Sequence, residues 1–211
     1  MERQWIRLGY YICKYAECPE YLKNISDKIL SVRDCLCTHE PQIFLCHGWK
    51  PNGDDKDYIA KCFTSEQQYI KMSAEISELL DEGLFCTDGR FLNKEDALHF
   101  YKEYFNGEEY RLVAVRMDHQ YYEKICDDLE INKSALVDKL GENLGCDIVG
   151  WDISGFHSFL CNSLNKGFTD IRFNSYGLID DEYAVAEEIA TKIQGQGEPV
   201  EWIPIEYHYV C

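Results

Sequence analysis

The chain has few basic residues: 21 lysines and arginines stand against 38 aspartates and glutamates among 211 residues, a formal net charge of −17. The shortage is greatest in residues 106–211, which carry 8 basic and 20 acidic side chains, whereas residues 1–105 carry 13 and 18. Nucleic-acid binding draws most of its affinity from lysine and arginine on phosphates, so this balance argues against a nucleic-acid partner. A negative field of this size instead speeds the approach of basic proteins.

Two kinds of targeting segment are also missing. No stretch reaches the roughly 20 apolar residues of a membrane-spanning helix, so we expect no membrane association. The first seven residues, Met1 to Arg7, lack the apolar core of a secretory signal. The eleven cysteines are an odd number, and the chain is too long for a small disulfide scaffold. We therefore expect reduced thiols and a cytoplasmic location.

The short signatures of common enzyme classes are absent. The sequence contains no G-x-G-x-x-G, no G-x-x-x-x-G-K-[ST], no G-x-S-x-G and no H-E-x-x-H. It therefore indicates no particular cofactor, and we expect none.

Hydrophobic residues make up 45% and aromatic residues 14% of the chain, which is typical of a packed globular protein. We expect an α+β fold, with mixed α/β as the alternative, in which about five or six helices pack on one sheet. Residues 1–211 are expected to form a single domain, with a weak subdivision conceivable near residues 106–109. Apolar and aromatic runs predict strands at 6–15, 110–117 and 200–210, and Pro204 suggests that the last strand lies at an edge.

Helical periodicity is clearest at 64–82, where Thr64 or Ser65 is the predicted N-cap and Gly83 the stop. Asn93 is predicted to cap a second helix, and Asn132 a later one that Gly145 ends. Further helices are expected at 121–129, at 156–164 and from about 182 to 194. Residues 91–117 and 178–209 share one pattern of acidic helix start, helix, glycine turn and strand. Two α-then-β units could therefore lie side by side in one sheet, but we favour the simpler explanation that two ordinary αβ units resemble each other by chance.

The densest group of soft metal ligands consists of Cys35, Cys37, His39, Cys46 and His47. Thiolates and imidazoles at short spacing are the ligands of structural zinc, which would make the chain a zinc-stabilised structural module. However, zinc sites use gaps of two to four residues within a ligand pair, and here one residue separates the thiols. The alternative is that these cysteines have no ligand role.

A nucleophilic site could be built on Cys161 and His157, which share a face if residues 156–164 are helical. Asp152 is the candidate to orient the imidazole. A catalytic thiol more often lies at a helix N-terminus, where the dipole lowers its pKa. The alternative is a small apolar residue beside a half-exposed histidine.

The carboxylates at 180–182 and 187–188 could be interpreted as a metal-binding site. Hard cations need oxygens that converge from separate elements, and adjacent helix positions point in different directions. We therefore interpret 180–182 as favouring a helix N-terminus, and 187–188 as part of a solvated face.

Four segments of the C-terminal third form a recognisable layout: GWDI at 150–153, FHSFLCN at 156–162, NSYGLID at 174–180 and GEPVEWIP at 197–204. This layout, over roughly residues 144–210, resembles small bacterial proteins that are themselves similar to immunity proteins of polymorphic toxin systems. The resemblance implies a protein that binds and masks a cognate toxin. It assigns no role to any residue.

The acidic charge, the many tyrosines and tryptophans and the missing enzyme signatures together favour a protein-binding module, most concretely an immunity-type inhibitor of a basic toxin. An enzyme with a Cys-His site and a zinc-stabilised module are the alternatives. The predicted partner contacts are carboxylates and two apolar anchors: Asp152, Asp180, Asp181, Glu182, Trp151 and Trp202.

Overall fold

A computed structural model describes the chain over residues 3–18, 20–31, 65–86, 89–105, 107–125, 140–152, 155–168, 170–180 and 182–211. Six strands form one antiparallel sheet: β1 (Trp5–Glu17), β2 (Lys28–Ser31), β3 (Tyr110–Asp118), β4 (Asn143–Asp152), β5 (Gly155–Ser158) and β6 (Trp202–Tyr209). Their spatial order is β2-β1-β3-β6-β4-β5. The described residues also contain four α-helices, α1 (Glu66–Asp81), α2 (Lys94–Tyr104), α3 (His119–Ile125) and α4 (Tyr183–Ile193), and two short 3₁₀ helices, Glu20–Leu22 and Leu164–Gly167.

This architecture is α+β, as the sequence predicts. The described ranges hold four α-helices rather than five or six. The expectation of a single domain stays a prediction. β3, which follows residues 106–109, lies in the sheet between β1 and β6.

The helix ends follow local chemistry. Ser65 caps α1 by accepting a hydrogen bond from the Gln68 N–H at 3.1 Å, and Gly83 follows at a positive φ of 68°. The Asn93 side chain accepts from the N–H groups of Glu95 and Asp96 at the start of α2. Both N-terminal predictions are therefore confirmed, because these side chains satisfy N–H groups that the first helical turn leaves unpaired.

The two faces of the sheet bury different partners. On β3, Val113, Val115 and Met117 pack with the α3 residues Tyr122 and Ile125. The alternate residues of that strand pack with α1 and α2, and α4 covers the same face on the other half of the sheet. The period-2 alternation of a strand thus divides the core into two layers.

The two stretches that share the α-then-β pattern lie in neighbouring parts of the sheet, an arrangement that the preferred explanation by chance did not predict. β3 and β6 are adjacent and antiparallel, with Val115 paired to Tyr207. In the first half Gly9 of β1 pairs with Val115, and in the second half Gly145 of β4 pairs with Tyr207. Val115 and Tyr207 therefore occupy equivalent positions, and an approximate twofold axis passes between them.

Each half also contains the same short hairpin, which we call a clip. In the first clip residues 84–86 pair with 90–92, and in the second residues 172–174 pair with 178–180. Phe91 of the first clip exchanges two backbone hydrogen bonds with Tyr10, at 2.8 and 2.9 Å. Ile179 of the second exchanges two with Cys146, at 3.0 and 2.8 Å. The equivalence therefore extends beyond the helix and strand that the sequence pattern contains.

Both clips approach a bulge glycine. The register shifts before Gly9 in β1 and before Gly145 in β4, and both have positive φ, 151° and 124°. A Cβ at Gly9 would lie 2.6 Å from the Phe91 carbonyl oxygen, and one at Gly145 would lie 2.8 Å from that of Ile179. The prediction that Gly145 ends a helix is wrong, because this glycine makes room for the second clip inside a strand.

Two further predictions on this half of the chain are wrong. Residues 156–164 are not helical: β5 ends at Ser158, and turns lead to the 3₁₀ helix Leu164–Gly167. β6 is an inner strand between β3 and β4 despite Pro204, whose carbonyl oxygen accepts a hydrogen bond from the Tyr183 hydroxyl at 2.7 Å.

Candidate functional site

Arg3 lies at the centre of a polar cluster where β3 ends and α4 crosses the sheet. Its two terminal nitrogens donate to the two Glu187 oxygens at 2.8 and 2.9 Å, and Nη1 also donates to Asp118 Oδ2 at 3.0 Å. The guanidinium lies 4.6 Å from the centre of the Tyr183 ring and 5.6 Å from that of Trp5. We call the group formed by Asp118, Tyr183 and Glu187 the guanidinium cage.

Three elements position the cage. Asp118 is the last residue of β3, and its other oxygen accepts from the Gln120 N–H at 3.0 Å, where α3 begins. Tyr183 and Glu187 lie four residues apart on α4 and therefore on one face of that helix. The buried Tyr183 hydroxyl bonds to β6, which fixes the ring beneath the guanidinium.

The Glu187 carboxylate accepts more of the hydrogen bonds in this cluster than Asp118 does. Besides Arg3, its Oε1 accepts from Gln120 Nε2 at 3.0 Å and from the Tyr121 hydroxyl at 3.3 Å. Its side chain is 20% exposed, so the expectation of a freely solvated carboxylate at 187 is wrong, whereas Glu188 is exposed and pairs with Lys192. The hydrogen bond to Glu187 raises the pKa of Arg3, and burial, then Glu187, raises the pKa of Tyr121 to about 12.

A cavity of about 450 Å³ opens beside the guanidinium cage. It is lined by polar and charged residues: Arg3, Gln4, Asp118, His119, Gln120, Glu123 and Glu187. The cavity exposes carboxylates, amides and one guanidinium, and it supplies a route from solvent to the cage. Its chemistry suits a cationic group with several hydrogen-bond donors.

A second charged cluster lies at the centre of the sheet on the side that α2 and α4 cover. Arg116 Nε donates to Glu206 Oε2 at 2.6 Å, and His208 Nε2 lies 3.1 Å from the same oxygen. Burial raises the pKa of Glu206, but the hydrogen bonds to His208 and Arg116 outweigh it, and the pKa is lowered overall. His208 Nδ1 also lies 3.1 Å from the Gly141 carbonyl oxygen. The cluster is an internally satisfied ion network.

Trp5 links the two clusters, because the Arg116 guanidinium lies 3.8 Å from the centre of its ring. The sequence gives no sign of either cluster. Arg3 is 115 residues from Asp118 and 184 from Glu187 along the chain.

The predicted partner contacts lie at both ends of β4. Trp151 and Asp152 are its last residues, whereas Asp180 follows Ile179, which bridges to Cys146 near its start. The six residue steps from Cys146 to Asp152 span about 20 Å of strand. Asp180 and Glu182 are exposed, and Glu182 is the N-cap residue of α4, in line with the predicted acidic helix start. Asp181 lies outside the described residues.

The two predicted apolar anchors differ in accessibility. Trp151 is half-buried and packs edge-on against Phe156, with ring centres 4.9 Å apart. Trp202 has no exposed surface, and its indole nitrogen donates to the Gln196 carbonyl oxygen at 2.9 Å. Trp202 thus contributes to the core in this structure, and Trp151 is the anchor that solvent reaches.

The Cys-His candidates do not share a helix. His157 lies on β5 opposite Gly150, and half-buried Cys161 lies in the turn after that strand. Asp152 pairs with Gly155 at the other end of the β4–β5 hairpin. A carboxylate near the imidazole is that of Glu198, whose Oε2 is 3.9 Å from His157 Nδ1. The helical spacing that predicted a nucleophile and its base is therefore absent.

The zinc candidates Cys35, Cys37, His39, Cys46 and His47 lie outside the described residues. Within the ranges that are described, no three histidine, cysteine, aspartate or glutamate side chains are grouped to hold a metal ion. None of the helices in those ranges has the length and apolar character needed to cross a bilayer.

Comparisons with known proteins found no match for this chain: no protein-family model, no curated protein and no solved structure is similar to it. The resemblance of residues 144–210 to immunity proteins stays a prediction.

Proposed function

We propose that the chain is an acidic protein-binding module whose partner is a basic protein, and that its concrete role is that of a cytoplasmic immunity-type inhibitor masking a basic toxin. One observation carries the proposal: seven basic side chains of the described ranges pair with the chain's own carboxylates, while surplus carboxylates face solvent. The paired cations are Arg3, Lys14, Lys23, Lys71, Arg116, Lys124 and Lys192. Cations held in this way are less available to bind phosphate.

The exposed carboxylates include two groups at helix ends. Glu78, Asp81 and Glu82 lie at the end of α1, whose last turn has no basic residue. Carboxylates there oppose the helix dipole, and a cationic partner would offset that unfavourable interaction. Asp180 and Glu182 form the second group, before α4.

The spread of these groups is compatible with one partner. A standard interface uses about 20–30 residues on each side, so it can extend over the roughly 20 Å between the two ends of β4. Half-buried Trp151 would contribute an apolar contact at one end, and exposed Asp180 a charged one at the other.

The test uses a basic nuclease toxin domain, which we predict to be encoded beside the gene for this chain. The purified chain is mixed with that domain, and nuclease activity is measured against molar ratio. We expect activity to fall to background near one equivalent, since an acidic protein seated on the substrate groove excludes nucleic acid. Full nuclease activity in the presence of excess chain would rule out the inhibitor role.

A further inference from the structure

The guanidinium cage has the composition of an arginine-recognition site. A carboxylate that accepts two parallel N–H bonds, a second carboxylate and an aromatic face all match a planar guanidinium and fit an ammonium group less well. Glu187 supplies the two-bond contact, Asp118 the third bond and Tyr183 the ring. The chain's own Arg3 shows how the cage holds such a group.

Arg3 is attached so that it can leave without unpairing the sheet. β1 begins at Trp5, which pairs with Asp118, so Arg3 and Gln4 precede the strand. The Arg3 side chain is 30% exposed, and the cavity of about 450 Å³ opens onto it. A second guanidinium therefore has a path to the same two carboxylates.

If Arg3 is displaced, the emptied cage strongly favours binding of another positively charged group. Glu187 and Asp118 are only 20% and 12% exposed, so an empty cage would hold two poorly hydrated carboxylates. Glu123, which also lines the cavity, adds a third carboxylate at its rim. This arrangement is complementary to a basic segment with an arginine at its centre.

We propose that the guanidinium cage is the docking site for an arginine of the basic partner, and that Arg3 is an internal substitute that the partner's arginine displaces. This inference rests on the proposed function, because it names the contact by which a basic partner is recognised. It predicts that removing Arg3 strengthens binding of the partner, whereas removing the Glu187 charge weakens it.

The first experiment asks whether an emptied cage selects guanidinium. Arg3→Ala and the gentler Arg3→Lys are titrated with argininamide and, at equal ionic strength, with lysinamide, and two-dimensional NMR reports shifts at Asp118 and Gln120. We expect argininamide to bind Arg3→Ala at least about tenfold more tightly than lysinamide and than it binds the unmodified chain. Equal responses to both amides, or none, would overturn the inference. If Arg3→Ala does not fold, the same comparison is made with Arg3→Lys.

The second experiment uses two peptides of equal length and charge, one carrying arginines and the other lysines, as stand-ins for the basic partner. Binding is measured to the unmodified chain, Arg3→Ala, Glu187→Gln and the matched control Glu188→Gln, which removes an exposed charge one residue away on α4. We expect the arginine peptide to bind Arg3→Ala about tenfold more tightly and Glu187→Gln about tenfold more weakly than the unmodified chain, with Glu188→Gln unchanged. Circular dichroism verifies that Glu187→Gln is folded, and Asp118→Asn replaces it if it is not.

The outcomes separate the two proposals. Peptide binding that is equal in all variants would overturn the cage as the docking site and leave an acidic protein-binding surface elsewhere on the chain. Failure of both peptides to bind any variant would contradict the proposed function together with the cage.

Discussion

Alanine at Gly9 or Gly145 tests the close approach of the two clips to the sheet. Alanine at positive φ costs about 1–2 kcal/mol because its Cβ meets the backbone. At Gly9 the new Cβ would also lie 2.6 Å from the Phe91 carbonyl oxygen, and at Gly145 it would lie 2.8 Å from that of Ile179. Both contacts are with backbone atoms, so relieving them shifts a clip at a further cost of about 1–3 kcal/mol. We expect each substitution to lower the free energy of unfolding by about 2–5 kcal/mol.

Gly83→Ala is the matched control, because Gly83 has a φ of 68° but no atom within 4 Å of its Cβ position. It should lose only the conformational part, about 1 kcal/mol. The assay is equilibrium urea unfolding. A loss of about 2–5 kcal/mol in the free energy of unfolding shifts the urea midpoint by about 1–2 M. If Gly9→Ala and Gly145→Ala cost no more than Gly83→Ala, the clips do not approach the strands closely, and the equivalence of the two halves is refuted.

Three further predictions concern the core and the thiols. Glu206→Gln should cost about 3 kcal/mol at neutral pH, because Arg116 and His208 lose a buried anion. Because the pKa of Glu206 is lowered in the folded chain, its contribution to stability is present above the ordinary pKa of 4.5 and is lost as pH falls below it. The stability of Glu206→Gln should therefore fall less steeply in acid than that of the unmodified chain. Equal dependence of stability on pH in the two proteins would contradict this. Trp202→Phe should lower the free energy of unfolding in urea by about 2 kcal/mol, since it removes buried volume and the hydrogen bond to Gln196. Trp151→Phe should lower it by less than about 1 kcal/mol. A larger loss for Trp151→Phe than for Trp202→Phe would place Trp202 outside the core. In timed alkylation followed by mass spectrometry, half-buried Cys161 and Cys211 should react before buried Cys146, whose pKa burial raises; a rate for Cys161 about 100-fold above that for Cys211 would favour the enzyme alternative.

Local signals predicted the elements that they control. The helix ends at Ser65, Gly83 and Asn93 are set by hydrogen bonds and backbone angles within a few residues. The apolar runs that predicted the first, third and sixth strands are long enough to distinguish strand from loop. The same pattern placed an α-then-β unit in each half, and these units are neighbours in the sheet.

Predictions failed where a distant part of the chain decides the local structure. Gly145 has the helix-stop chemistry of Gly83, but Ile179 of the second clip, 34 residues later, needs the space of its missing side chain. Residues 156–164 show helical spacing, yet β4 provides a pairing edge for 155–158. Tertiary contacts override local propensity at both places.

The guanidinium cage could not be predicted from the sequence for the same reason, because distant parts of the chain form it. Its members come from before β1, from the end of β3 and from α4, and no spacing pattern connects them. Glu187 in particular looks like any carboxylate on an amphipathic helix. Only the sheet order, which brings β1 beside β3 and β3 beside β6 under α4, makes it an arginine ligand.

We propose that the chain's negative charge draws in and holds a basic protein. The measurement is the association rate constant with the basic toxin domain that we predict as the partner, determined by stopped flow at several salt concentrations. We expect this rate to fall by at least about tenfold as ionic strength rises from about 0.01 M to about 0.15 M, because screening shortens the reach of the carboxylates from about 30 Å to about 8 Å. A rate that does not change over this range would contradict it.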